Sequence, residues 1–116
     1  KPKAPFSQAI SVGEFMFLSG QGPLDVSTGQ PVRGDVQTQA RKTLENMKTL
    51  LEEAGSSLDD VLKVTIFLVD MNHYGAVNEV YSQFFKTEPP ARTCVQVSRL
   101  PGDILVEMDA IALRHK

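Results

Sequence analysis

Apolar residues recur at spacings of three and four positions from residue 36 to residue 54, and this repeat predicts an amphipathic helix. Asp35 stands immediately before the repeat, where a short acidic side chain caps the first backbone N–H groups. Gly55 stands immediately after it, where a residue with left-handed backbone commonly ends a helix. The helix must therefore bury one face against the rest of the chain.

Strand-like segments and a second helix flank this repeat. Short β-prone runs at residues 8–11 and 15–19 predict a hairpin, and the run at residues 61–69 has the composition and length of a buried strand. A second helix is predicted after Asn72 and stops before Pro89-Pro90. Two tyrosines on its apolar stripe are expected to lie in the core: Tyr74 and Tyr81.

Residues 92–99 and 104–113 predict the last two strands, and Pro101-Gly102 predicts a tight turn that joins them as a hairpin. In this register Arg92 and Glu107 share a sheet face, with backbones about 13 Å apart. The element order is then ββαβαββ. Because strand–helix–strand connections are right-handed, both helices should cover one sheet face, giving a two-layer α/β (α+β) sandwich with a mixed sheet. The length fits one domain over residues 1–116.

The predicted hairpin leaves the other sheet face uncovered. This face is expected to carry six side chains from the last two strands: Arg92, Cys94, Gln96, Glu107, Asp109 and Ile111. We expect a second copy of the chain to cover it, and a buried charge there needs a partner. Two interpretations stay open. Arg92 forms an ion pair with Glu107 or Asp109 that fixes packing, or Arg92 binds a carboxylate while Glu107 orients a water.

Composition argues against several other functions. Cys94 is the single cysteine, so an intrachain disulfide and a thiolate zinc site are excluded, and without a histidine beside it we interpret Cys94 as packing. His73 and His115 are too far apart in sequence to suggest a metal site. A net charge of −2 gives no support to nucleic-acid binding. No apolar run approaches the roughly 20 residues that cross a bilayer, so we expect a cytoplasmic protein without membrane contact.

Short motifs occur along nearly the whole chain. Each motif alone is a weak indication of a family, but their order and spacing together are highly specific. They include Ala4-Pro5-Phe6-Ser7-Gln8-Ala9, Ser19-Gly20-Gln21, Val77-Asn78, Pro90-Ala91-Arg92-Thr93-Cys94-Val95 and Glu107-Met108-Asp109-Ala110-Ile111-Ala112. In these motifs the chain resembles the RidA/YjgF reactive-intermediate deaminases, also called the L-PSP endoribonuclease family.

The resemblance implies a chorismate-mutase-like fold and a homotrimer with ligand clefts between subunits. It also implies a 2-iminobutanoate/2-iminopropanoate deaminase, which hydrolyses enamine/imine intermediates such as 2-aminoacrylate to 2-keto acids and ammonia without a cofactor. Arg92 matches the arginine that binds the substrate carboxylate, and Glu107 matches the glutamate that positions the water. Three further residues match positions in or near the pocket: Gly20, Asn78 and Cys94.

Phe6 departs from the family pattern, because deaminase members typically carry tyrosine there. The ring is kept and the hydroxyl is lost. Either the hydroxyl helps to hold the water or the substrate and turnover is weaker here, or the ring only packs against the ligand. A chain that keeps the carboxylate site without turnover would be a small-carboxylate-binding regulatory trimer. The family's older name suggests an endoribonuclease or translation inhibitor, against which the acidic charge balance argues.

Overall fold

The computed structural model describes residues 4–115, and its element order is the predicted ββαβαββ. The strands are β1 (Ala9–Val12), β2 (Phe15–Gln21), β3 (Val61–Leu68), β4 (Ala91–Gln96) and β5 (Val106–Leu113). The helices are α1 (Val36–Glu53) and α2 (Tyr74–Phe84), and single 3₁₀ turns precede β3, α2 and β5. Within residues 4–115, neither helix combines the length and the apolarity that a membrane span requires.

Both helices pack on the same face of the sheet, which confirms the predicted two-layer α+β sandwich. The first helix has both predicted ends: the Asp35 carboxylate accepts a hydrogen bond from the backbone N–H of Thr38 at 2.8 Å, and Gly55 follows it with φ of +85°. Apolar side chains along α1 that are fully excluded from water hold the two layers together: Ala40, Leu44, Met47 and Leu51. The apolar repeat in the sequence therefore predicted the buried face of α1 correctly.

The sheet order is β1-β2-β5-β3-β4, so β3 lies between β4 and β5. The predicted hairpin between the last two strands is therefore wrong. The crossover through α2 returns β4 parallel to β3, on its outer side. Residues 97–105 then carry the chain past the end of β3, and β5 pairs antiparallel with both β3 and β2. This connection is long enough to pass the end of β3, so β4 and β5 lie on either side of it. The Pro101-Gly102 pair predicted a tight hairpin turn and gave no indication of this longer connection.

The observed register also changes which residues of β4 lie under the helices. Val64 and Ile66 of β3 are buried beneath the helices, with 0% and 1% exposure. Arg92 is aligned with Val64 and Cys94 with Ile66, and aligned residues of neighbouring strands point to the same face. Arg92 and Cys94 therefore lie on the helix face rather than on the uncovered one. The residues that alternate with them are exposed on the other side.

We call the other side of the sheet the open face, because in the described part of the chain it has no helix over it. Large apolar side chains of β1 and β2 are 43% to 61% exposed there: Ile10, Val12, Phe15 and Phe17. Three residues of β5 that alternate with its buried ones also lie on this face: Glu107, Asp109 and Ile111. The open face is thus an extended apolar surface with two carboxylates near one end.

Candidate functional site

Arg92 lies on β4, at the edge of the sheet, and its side chain extends along the helix face to α2. The guanidinium carbon is 4.9 Å from the ring centroid of Tyr81 and 5.4 Å from that of Tyr74. Its Nη2 group donates a hydrogen bond of 2.9 Å to the hydroxyl of Tyr74. Within residues 4–115, Arg92 has no acidic partner in a salt bridge. The cation is held by aromatic faces and remains available to an external anion.

An open groove of about 360 Å³ lies beside the guanidinium, between α2 and the start of β4. Its walls are both aromatic and polar, and they comprise Asn78, Tyr81, Ser82, Phe85, Pro89, Pro90 and Arg92. Two of these residues carry buried polar atoms without a hydrogen-bond partner in the described chain, namely Asn78 Oδ1 and Tyr81 Oη. The groove therefore combines a cation that has no acidic partner with two enclosed polar atoms that make no hydrogen bond within residues 4–115.

Burial sets the protonation of the groups around Arg92. It raises the pKa of the Tyr81 phenol to about 12, although the Arg92 charge opposes this shift. It also raises the pKa of the Cys94 thiol, again against the Arg92 charge. Cys94 packs against the core, as expected for a structural cysteine. Since a raised pKa keeps the thiol protonated at neutral pH, Cys94 is a poor nucleophile.

Glu107 lies on the open face, where β5 pairs with a bulged segment of β2 between Leu18 and Gln21. Gly20, within this bulge, lies directly against the Glu107 side chain: a Cβ atom at Gly20 would be 2.7 Å from the carboxylate carbon. Burial, and then the negative charge of Asp109, raise the pKa of Glu107 above its ordinary value. The structure thus brings Gly20 and Glu107 together, and the absence of a side chain at Gly20 makes room for the carboxylate.

Arg92 and Glu107 point to opposite faces of the sheet, so the predicted common face is wrong. Arg92 is aligned with Val64 of β3 and Glu107 with Phe67. These two β3 residues are three positions apart, and an odd separation along a strand places side chains on opposite faces. Glu107 and Arg92 therefore lie on different sides of the same chain and do not form the ion pair that was one interpretation of Arg92.

Phe6 lies apart from both groups. It precedes β1, at the edge of the sheet opposite to β4, and is 51% exposed. The six predicted site residues therefore fall into three places. Asn78, Cys94 and Arg92 lie on the helix face near β4, whereas Gly20 and Glu107 lie on the open face.

Tyr74 is the contact that the sequence interpretation missed. It was assigned to the core, but it is 43% exposed and its hydroxyl accepts the hydrogen bond from Arg92. A signal was present, since Tyr74 and Tyr81 are seven positions apart and therefore share one face of α2. Within residues 4–115, no three His, Cys, Asp or Glu side chains are arranged to hold a metal ion.

Fold and site together define a class of small two-layer α+β domains with an arginine groove at one sheet edge and a partly buried glutamate on the open face. The family model described as "Endoribonuclease L-PSP" matches residues 1–114. The chain belongs to this family, which confirms the resemblance to the RidA/YjgF proteins.

Individual relatives cover almost the whole chain. A RutC family protein from Pyrococcus abyssi is 54% identical over 115 residues, which cover 99% of this chain and 91% of that protein. The protein named "Putative reactive intermediate deaminase TdcF" from Escherichia coli K12 is 45% identical over 113 residues, or 95% of this chain and 87% of TdcF. The crystal structure of E. coli TdcF with bound serine superposes with a TM-score of 0.92 at 44% identity, covering 98% of this chain and 91% of that one.

The raised pKa of Glu107 predicts a pH-dependent gain in stability for Glu107→Gln. A carboxyl whose pKa is higher in the folded than in the unfolded chain favours folding below its ordinary value of 4.5 and loses that contribution as the pH rises through the raised pKa. The melting temperature of Glu107→Gln should therefore exceed that of the wild type at pH 7, and the difference should shrink toward pH 4. Thermal unfolding at fixed protein concentration measures this. Glu79→Gln, at an exposed position of α2, is the control, and a difference for Glu107→Gln that does not change with pH would contradict the assignment.

Gly20→Ala should displace the Glu107 carboxylate without unfolding the chain. The new Cβ would collide with the end of a flexible side chain, which can move away toward solvent. The pKa of Glu107 should then fall toward its ordinary value, as measured by a ¹³C NMR titration of the carboxyl carbon. Gly75→Ala is the matched control, because nothing lies within 4 Å of its added Cβ and alanine favours a helix. An unchanged Glu107 titration in Gly20→Ala would refute the contact.

Proposed function

We propose that the protein is an enamine/imine deaminase that hydrolyses small 2-imino acids, such as 2-iminobutanoate and 2-iminopropanoate, to 2-keto acids and ammonia. The observation that carries this proposal is the Arg92 guanidinium, which lies beside an open groove with no acidic partner within residues 4–115. The reactive-intermediate deaminase name of the TdcF relative supports the reaction class. The serine bound to TdcF in its crystal structure supports a small ligand that carries a carboxylate.

Arg92 binds the substrate carboxylate in this proposal. A guanidinium offers two parallel N–H donors to a carboxylate, and such a pair fixes orientation as well as position. The carbon that reacts, C2, is bonded directly to the carboxylate carbon. Fixing the carboxylate therefore fixes C2 relative to the water that attacks it, and this placement is the arginine's contribution to rate.

In this proposal Glu107 transfers protons from the attacking water to the imine nitrogen. A carboxyl with a raised pKa exchanges protons more readily near neutral pH than an ordinary glutamate does. It accepts a proton from the attacking water as the oxygen bonds to C2, and it returns a proton to the nitrogen. This gives a carbinolamine, with a hydroxyl and an NH2 group on C2. Glu107 then takes the hydroxyl proton and passes it to the nitrogen as the carbon–nitrogen bond breaks and the carbon–oxygen double bond forms, so that ammonia leaves. One water and one imine give one keto acid and one ammonia with no change in oxidation state, so the reaction as written requires no cofactor.

Arg92 and Glu107 meet only if two copies of the chain contribute to one site. They point to opposite faces of one sheet, as their different alignment on β3 requires. The open face also exposes an apolar surface centred on Phe15 and Phe17, and contact of such a surface with water is unfavourable. We infer that the open face of one protomer packs near the β4 edge of the next, in a closed homotrimer with sites between subunits. Phe6, Gly20 and Glu107 would come from one protomer, and Asn78, Arg92 and Cys94 from its neighbour.

The activity is tested by supplying the imine continuously. A PLP-dependent dehydratase acting on serine or threonine generates the enamine/imine, and lactate dehydrogenase reports the keto acid as NADH is consumed. The protein should raise the rate above that of buffer, and Arg92→Ala should abolish the increase. Arg41→Ala is the control, because Arg41 is an exposed arginine on α1. If the protein does not raise the rate above that of buffer, the proposed deaminase activity is refuted. Binding of 2-ketobutyrate without turnover would instead support the alternative of a small-carboxylate-binding regulatory protein.

The shared site is tested by complementation. Arg92→Ala and Glu107→Gln should each be inactive alone, since each removes one half of every site. When the two variants are co-expressed and purified as mixed assemblies, random mixing places an intact Arg92 against an intact Glu107 at about one site in four. Activity should recover to about a quarter of the wild-type value. Co-expression of Arg92→Ala with Arg92→Gln should give no recovery. Mixed assemblies of the first pair that stay inactive would refute a site between copies.

A further inference from the structure

Tyr74 contacts the guanidinium of Arg92 through both its ring and its hydroxyl. We propose that Tyr74 positions Arg92 and provides a second hydrogen-bond donor to the carboxylate that Arg92 binds. The inference rests on the proposed function, because it assigns a residue to the carboxylate half of that site. Three observations carry it: the arrangement of the two rings, the direction of one hydrogen bond, and the different burial of the two tyrosines.

Both tyrosine rings contact the guanidinium of Arg92. Tyr81 is 5% exposed, and its ring packs against that of Phe85 with centroids 4.7 Å apart, so this inner ring is fixed by the core. Tyr74 is the outer ring, near the start of α2. With ring centroids at 4.9 Å and 5.4 Å, both tyrosines lie within the range of a cation–π contact to Arg92. A long side chain at a sheet edge is thereby restricted before any ligand arrives, which lowers the entropy cost of binding.

The hydrogen bond between the two residues has a defined direction. A guanidinium has no acceptor, so Nη2 of Arg92 donates and the Tyr74 oxygen accepts, at 2.9 Å. The hydroxyl proton of Tyr74 is not used in this bond and points elsewhere. Because the oxygen accepts from a cation, the phenol becomes a stronger donor through that proton. An anion bound to the neighbouring N–H groups of Arg92 lies within the reach of this donor.

Tyr81 does not offer the same group. Its hydroxyl is buried and has no partner within residues 4–115, and it is not bonded to Arg92. Tyr74 is 43% exposed and its hydrogen bond to Arg92 lies at the surface, so its hydroxyl is accessible to a ligand from solvent. The two tyrosines therefore differ in what their hydroxyls do: the inner one is enclosed and the outer one extends the set of donors around Arg92. The chemical class that this donor set fits is a small carboxylate, such as that of a 2-imino or 2-keto acid.

The inference is tested by binding and kinetics of Tyr74→Phe. This variant keeps the ring and removes the hydroxyl, so it should fold normally and still stack on Arg92. The Kd for 2-ketobutyrate, measured by NMR titration, should rise about fivefold to tenfold, the loss typical of one hydrogen bond. In the deaminase assay KM should rise with little change in kcat, because the carboxylate does not change charge during the reaction. Tyr81→Phe should weaken binding less than Tyr74→Phe.

A double-mutant cycle separates positioning through Arg92 from a general structural effect. Adding Tyr74→Phe to Arg92→Ala should change the Kd less than twofold, because the hydroxyl acts only together with the guanidinium. An equal loss in both backgrounds would show that Tyr74 acts through the fold, and this would overturn the inference. So would a Tyr74→Phe variant that binds as tightly as the wild type. If Arg92→Ala itself binds 2-ketobutyrate normally, the carboxylate site of the proposed function fails instead, and the two failures are distinguished.

Discussion

Strand β3 lies between β4 and β5, and its pairing with both neighbours decides where every charged group of the candidate site points. Arg92 is aligned with a buried residue of β3, and Glu107 with one that faces away from the helices. A shift of either neighbour by one residue would turn its whole apolar set out of the core, so the register is strongly fixed. The division of the site between two faces is thus a consequence of core packing and does not depend on interactions between the charged groups.

Much of the fold could be predicted from local signals. The apolar repeat of α1, its N-terminal cap at Asp35 and its end at Gly55 were all predicted correctly, because each depends on residues a few positions apart. The pairing of the last two strands could not be read in the same way. Which strand inserts between which others depends on contacts distant in sequence, and Pro101-Gly102 fits a tight hairpin as well as it fits a 3₁₀ turn within a longer connection.

Sequence motifs named the candidate-site residues, but they did not give the arrangement of these residues in space. Motifs identified Arg92, Glu107 and Gly20, and the structure explains the glycine through its close approach to the glutamate. Assigning Arg92 and Glu107 to one face followed from the wrong hairpin. Tyr74 was missed because an aromatic residue at helical spacing normally lies in the core, and its exposure depends on how α2 sits relative to β4. Sequence periodicity places Tyr74 on the same face of α2 as Tyr81, but it does not show that Tyr74 is exposed at the end of that face.

Several groups are placed where they weaken the fold. Glu107 is partly buried beside another carboxylate, and Asn78 and Tyr81 have enclosed polar atoms without partners within residues 4–115. Such arrangements cost free energy, and they concentrate at sites that chemistry or binding has shaped. They lie near the candidate-site residues Gly20 and Arg92, whereas the buried polar side chains of Gln39 and Thr43 elsewhere in the core make hydrogen bonds.

The placement of the Arg92 guanidinium and the Glu107 carboxylate on opposite faces of the sheet also bears on the order of folding and assembly. The core of each protomer is made of its own residues, yet under the proposed function one folded chain holds only half of each site. In the proposed ring, chemistry begins at encounter, since every molecule lends its cation to one neighbour and its acid to the other. Under the proposed function, folding of one chain and formation of an active site are therefore separate steps, and a correctly folded monomer would be inactive until it assembles.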